Sequence, residues 1–138
     1  MESLQTALPE FDVYTLDPRG AGGSEYLGCP EQEDPDSEAG TAIASSEIDA
    51  CIAYLQETHG ADLGLFSATN AAIDLAAGIH LTRGADQPVF IWGGSGGTYW
   101  GQRFLQLFPS LASGLILEGI APPNNSLIFQ DEYIEKTA

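Results

Sequence analysis

Apolar residues occur in separated runs along the chain, and their spacing predicts alternating strands and helices. Phe11-Asp12-Val13-Tyr14-Thr15-Leu16 mixes β-branched, aromatic and apolar side chains before Asp17-Pro18-Arg19-Gly20. That pattern predicts a short buried strand ending in a turn. Segment 31–46 carries five acids among Pro, Ser, Gly and Ala and reads as a loop. Ile48, Cys51, Ile52 and Leu55 then recur at helical spacing, with Ser46 as N-cap, Asp49 completing an approximate capping box, and Gly60 closing the helix. A second helix starts near Asn70, buries Ala72, Leu75, Ala76 and Ile79, and runs out around Arg83-Gly84. Pro88 introduces Val89-Phe90-Ile91-Trp92, an unbroken apolar run expected of a parallel strand covered on both faces.

From Thr98 the period becomes helical again, with Trp100, Phe104, Leu107 and Phe108 on one stripe and Pro109 ending it. Leu115-Ile116-Leu117 predicts a further buried strand, and segment 121–138 reads as loop followed by a weakly helical tail. Strand, helices, strand, helix, strand is the order of an α/β sheet with right-handed crossovers and helices on its faces. A sheet fragment of this kind leaves both edges open, and such edges invite self-association.

The chain has 138 residues, enough for one domain with a single core, and 43% of them are hydrophobic. Four basic against 20 acidic residues give a formal net charge of −16. So acidic a surface argues against nucleic acid and against anionic membranes as partners, because both need Lys and Arg to neutralise phosphate. It fits a solvated surface that keeps a protein soluble outside cells, or alternatively one that draws in a cationic substrate end. No stretch is long and apolar enough to span a membrane, and Met1-Glu2-Ser3-Leu4 lacks the features of a signal peptide. Cys29 and Cys51 allow one disulfide, which needs an oxidising compartment, or remain two unrelated thiols. Their spacing does not match a zinc site, and neither metals nor organic cofactors have visible ligands. Asn124-Asn125-Ser126 matches an N-glycosylation acceptor, or is a polar loop.

The chemistry concentrates at Gly93-Gly94-Ser95-Gly96-Gly97, between the central strand and the helix after it. A nucleophile elbow requires that placement: a sharp, strained turn lifts the serine Oγ above the sheet. Small residues are expected at Gly93 and Gly97, where a Cβ would collide across the turn. The Gly96 N–H would supply half of an oxyanion hole, reinforced by the positive end of the helix. Rival motifs fit less well. A dinucleotide fingerprint fails because Tyr99 and Glu25 stand where third glycines belong, and a phosphate-binding loop lacks its lysine. An ordinary flexible glycine turn remains the alternative.

Further stretches carry a resemblance. Asp17-Pro18-Arg19-Gly20-Ala21-Gly22-Gly23-Ser24, Cys29-Pro30 with Cys51, Gly60-Ala61-Asp62-Leu63, Ala71-Ala72-Ile73-Asp74-Leu75, the glycines around Ser95, Phe108-Pro109 and Leu117-Glu118-Gly119 together resemble the serine aminopeptidases. These are the proline iminopeptidase and tripeptidyl aminopeptidase branch of the α/β-hydrolases, and the resemblance covers residues 11–123. It implies a partial α/β-hydrolase core over 1–123, with a short parallel sheet of about strands four to six flanked by helices. Segment 124–138 would be the start of a cap or a tail. It also implies paired cysteines as in secreted members, hence a secreted or extracytoplasmic location. The implied activity is release of N-terminal residues or short peptides through a Ser95 acyl-enzyme, on a peptide or small ester substrate. Gly96 stands where the family has a bulky residue, and Glu118 where it commonly has Asp.

By the same resemblance, the loop carrying the second oxyanion donor would precede Met1, and the triad acid and His would come after Ala138. Only His59 and His80 are present. His59 is expected as a solvated cation at a helix end, and His80 beside the apolar stripe of the second helix. Glu118 ends a strand, but the family draws its acid from later in the chain. The resemblance therefore implies an incomplete triad and little activity for this polypeptide alone; a truncated, non-catalytic module and a carboxylic ester hydrolase are the alternatives.

Overall fold

Cys29 and Cys51 are the only buried residues among the described ones in the first part of the chain, at 0% and 7% exposure. They form a disulfide with a Cα–Cα distance of 5.3 Å. The computed structural model describes residues 2–84 and 86–121. Two compact units divide it, Met1–Phe66 and Ser67–Ala138. Segment 124–138, with the Asn124-Asn125-Ser126 acceptor, lies outside the described residues.

The first unit contains α1 (Glu2–Ala7), α2 (Ile48–His59) and a 3₁₀ helix over Gly60–Leu65. It has almost no apolar interior, so the covalent bridge does what a core does elsewhere, limiting the freedom of the unfolded chain. Ile48 and Ile52 of the expected apolar stripe are exposed, and only Cys51 of α2 is buried. Glu47, not Ser46, is the N-cap residue. Ser46 Oγ instead donates to the Glu38 carboxylate, and the Glu47 carboxylate accepts from the Ala44 N–H at 2.8 Å. Gly60 ends α2 at φ +51°, a conformation that favours glycine.

The strand expected over 11–16 does not form. Gln5 occupies backbone groups a ladder would use: its Nε2 donates to the Phe11 carbonyl at 2.7 Å and its Oε1 accepts from the Val13 N–H at 3.1 Å. The Asp17-Pro18-Arg19-Gly20 stretch does turn. The Asp17 carboxylate accepts from the Gly23 N–H at 2.7 Å, Ser24 Oγ donates to the Asp17 carbonyl at 2.8 Å, and Arg19 donates to the Leu65 carbonyl at 3.0 Å.

The second unit runs α3 (Ala68–Thr82), β1 (Phe90–Gly94), α4 (Gly96–Leu107) and β2 (Gly114–Glu118). The two strands pair in parallel, with Trp92 opposite Ile116 and Gly94 opposite Glu118. The fold is therefore mixed α/β, with a two-stranded parallel sheet among the described residues in place of the expected three strands. Its core joins Ala72, Ala76 and Ile79 of α3 to Phe104 of α4, with Leu75, Ile91, Trp100 and Phe108 packed around them. Gly101, buried on α4, faces Leu115 and Leu117, so the helix lies close against β2. Arg103 Nε donates to Thr69 Oγ1 at 2.9 Å and ties α4 to α3. Among the described residues only one sheet face is covered. Phe90, Trp92 and Ile116, which alternate to the other face, remain 54%, 55% and 59% exposed.

Candidate functional site

Parallel strands end together, so the residues leaving β1 meet those leaving β2. Gly94 and Glu118 are register partners, and the next N–H along, that of Ser95, donates to the Glu118 carbonyl at 2.9 Å. The ladder thus continues one bond past the strand, and the chain must turn at Ser95 to enter α4 at Gly96.

The turn is tight. A Cβ on Gly93 would lie 2.5 Å from the Gly97 carbonyl oxygen and 2.8 Å from its carbon, so no larger residue fits without moving backbone. Gly97 departs from expectation, because a Cβ there meets nothing within 4 Å among the described residues. The steric requirement is one-sided: the carbonyl of residue 97 reaches the Cα of residue 93, while the Cα of 97 faces open space.

Ser95 adopts φ +49° and ψ −118°. Positive φ is uncommon outside glycine, and such conformations cost on the order of 1–3 kcal/mol and gather at functional sites. The chain contains its own control. Ser67 caps α3 in the ordinary way, with extended dihedrals and a hydroxyl accepting from the Asn70 N–H at 3.3 Å. Ser95 holds the equivalent position before α4, yet its hydroxyl makes no capping bond. Its side chain is exposed and, among the described residues, not hydrogen-bonded.

What satisfies the start of α4 is Thr98. Its N–H and its Oγ1 donate to the Ser95 carbonyl, at 2.9 and 2.6 Å. Gly96, the first residue of α4, is exposed and its N–H lies where a helix has no internal carbonyl to meet it. A substrate oxygen beside Ser95 could therefore use that donor together with the helix's positive end.

Neither histidine lies on the elements that form the turn. His59 is half-buried, its ring edge-on to Phe66 at 5.3 Å, rather than solvated. His80 is exposed on the last turn of α3. Among the described residues no hydrogen bond joins His80, in the same unit, to Ser95. Glu118 is exposed at the end of β2, where its backbone carbonyl meets Ser95. No group of three or more His, Cys, Asp or Glu side chains able to hold a metal ion exists among the described residues. Nor is any helix among them long and apolar enough to cross a membrane.

Sequence reasoning did not single out Thr98, although a Thr inside the first turn of a helix that begins Gly-Gly is itself a signal. Threonine at that position can bond back to a carbonyl three residues earlier. Comparison with known proteins returns no match: no family model fits the chain, no curated protein matches its sequence and no solved structure matches its fold.

Proposed function

We propose that the chain carries the nucleophile site of a serine hydrolase of the serine aminopeptidase branch of α/β-hydrolases, with Ser95 as nucleophile. The observation that carries the reading is that a serine between a parallel strand and a helix holds a strained positive-φ conformation while its hydroxyl is withheld from capping. An N-cap serine gains stability by using its hydroxyl. One that forgoes that bond and accepts backbone strain has its Oγ free for another task. The close approach of Gly93 to Gly97 supports the same reading, and so does the motif resemblance from Asp17 to Gly119.

In this mechanism Ser95 Oγ attacks a substrate carbonyl carbon while its proton passes to a base. The oxyanion takes the Gly96 N–H as donor, and collapse expels the amine or alcohol with that proton, leaving an acyl-enzyme for water to cleave. A substrate with a free N-terminal amine suits the net charge of −16, which attracts cations. The disulfide supports a location in an oxidising, extracytoplasmic compartment.

A second reading, a hydrolase-like module without catalysis, is favoured by one observation: His80, the imidazole of the same unit, is exposed and not hydrogen-bonded to Ser95 among the described residues. Fluorophosphonate labelling of the folded chain, located by peptide mass spectrometry with Ser95→Ala as control, separates the two. Labelling at Ser95 supports a nucleophile served by a base; a folded chain that stays unlabelled leaves the module reading standing. Turnover of aminoacyl amides against simple esters then divides peptidase from esterase.

A further inference from the structure

We propose that Thr98 is the positioning residue of this site, its buried hydroxyl holding Ser95 in the strained conformation and coupling it to the segment after β2. The role deepens the hydrolase reading and rests on it for its catalytic consequence, but the conformational part stands on geometry alone.

Thr98 is 0% exposed, the one polar residue buried as a whole among those described. A hydroxyl so enclosed must be fully bonded, since an unsatisfied one is costly. It is used in both senses: Oγ1 donates to the Ser95 carbonyl at 2.6 Å and accepts from the Ala121 N–H at 2.9 Å. Gln102 closes the arrangement, with Nε2 donating to the Thr98 carbonyl at 3.0 Å and to the Ala121 carbonyl at 2.9 Å. Ser95 is consequently held on both sides of its Cα. Its N–H is fixed to Glu118 at the end of β2, and its carbonyl is fixed by Thr98. A residue at positive φ persists only where its surroundings over-determine it, and these two anchors do so. The backbone orientation they impose sets the direction of the Ser95 Cα–Cβ bond, and hence where Oγ is presented.

A plain first-turn threonine would need only the bond back to Ser95. The bond from Ala121 is additional, and it makes the elbow sensitive to the chain that leaves β2. Thr98 touches no reacting atom in this scheme. It acts through the Ser95 backbone, and what it controls is the chemical step rather than reagent binding.

Thr98→Val preserves shape and removes the hydroxyl, while Thr98→Ser keeps the hydroxyl. On the intact chain, backbone NMR of Thr98→Val is expected to show Ser95 shifting away from its positive-φ signature and the Ala121 amide exchanging at least tenfold faster. Thr98→Ser should retain both wild-type features. In fluorophosphonate kinetics, Thr98→Val should lower the first-order labelling step on the order of 10–100-fold with the half-saturating reagent concentration unchanged, the cost expected of a misplaced reacting group. Thr98→Ser should recover it to within a few-fold. If Thr98→Val does not fold, the wild-type chain still decides: a slowly exchanging Thr98 hydroxyl proton is expected, and a freely exchanging one overturns the proposal. Unchanged Ser95 shifts and labelling in folded Thr98→Val would also overturn it. A wild-type chain that never labels, with Ser95 nonetheless relaxing in Thr98→Val, keeps Thr98 as the holder of the turn and removes the hydrolase reading instead.

Discussion

A Cβ on Gly93 would lie 2.5 Å from the carbonyl oxygen of Gly97, whereas a Cβ on Gly97 meets nothing within 4 Å among the described residues. The two glycines flank Ser95 symmetrically in sequence and unequally in space. Gly93→Ala must therefore push strand and helix apart, at a cost on the order of 1–3 kcal/mol, as for other overpacked sites. Gly97→Ala faces no clash and replaces a poor helix former in the first turn of α4, so it should be neutral or stabilise by up to about 1 kcal/mol. Denaturant unfolding of both variants checks the ordering, and equal destabilisation would contradict it.

Removing the Cys29–Cys51 bridge should unfold the first unit while leaving the second intact. The bridge spans 22 residues, for which chain entropy predicts a loss of about 3 kcal/mol. The first unit has no other buried residue among those described, so little opposes that loss. The second unit keeps its Phe104-centred core. Hydrogen exchange with and without reductant is the measurement. Protection should vanish in α2 and persist in α3 and α4; a retained α2 would mean the bridge is incidental.

The elements the sequence announces correctly are those whose period is completed by packing. Ala72, Ala76 and Ile79 of α3 and Phe104 of α4 recur at helical spacing and meet one another in the core. The apolar run at Phe90 marks β1, but alternation on a half-covered sheet leaves Phe90 and Trp92 exposed, which an unbroken run cannot reveal. Phe11-Asp12-Val13-Tyr14-Thr15-Leu16 has strand composition, yet a strand is a relation between two chain segments, and here Gln5 supplies the partners locally. Ser46 lost the cap of α2 because its hydroxyl serves Glu38, a contact eight residues away. At the site, Gly-x-Ser-x-Gly indicates Ser95, and a Thr in the first turn of the helix signals the bond back to it; the bond from Ala121 depends on the segment after β2 and has no local signature.

Tyr26 should titrate above the ordinary tyrosine range. Its hydroxyl donates to Glu33 Oε1 at 2.9 Å, and the nearby negative charge further disfavours the phenolate. The folded value exceeds the unfolded one, so the contribution to stability is full below about pH 10 and fades as pH rises through the higher folded value. Ultraviolet titration of tyrosinate in wild type and Glu33→Gln provides the check, with the component that ionises at the highest pH moving to lower pH in the variant. An unchanged titration would place Tyr26 outside the influence of Glu33.

Ser95→Gly should be more stable than both wild type and Ser95→Ala. Alanine removes the hydroxyl but keeps the Cβ, so the strain at φ +49° persists, and with no hydrogen bond from Oγ among the described residues there is little else to lose. Glycine relieves a strain on the order of 1–3 kcal/mol, offset by roughly 0.5–1 kcal/mol for its greater freedom when unfolded. The expected net gain is about 1 kcal/mol, with Ser95→Ala close to wild type, read from urea unfolding of the three chains. Such a gain on deleting the candidate nucleophile is the signature of stability given up for function. If Ser95→Gly were instead destabilised, the serine would be contributing to the fold, and the reading of Ser95 as a strained residue kept for its hydroxyl would be wrong.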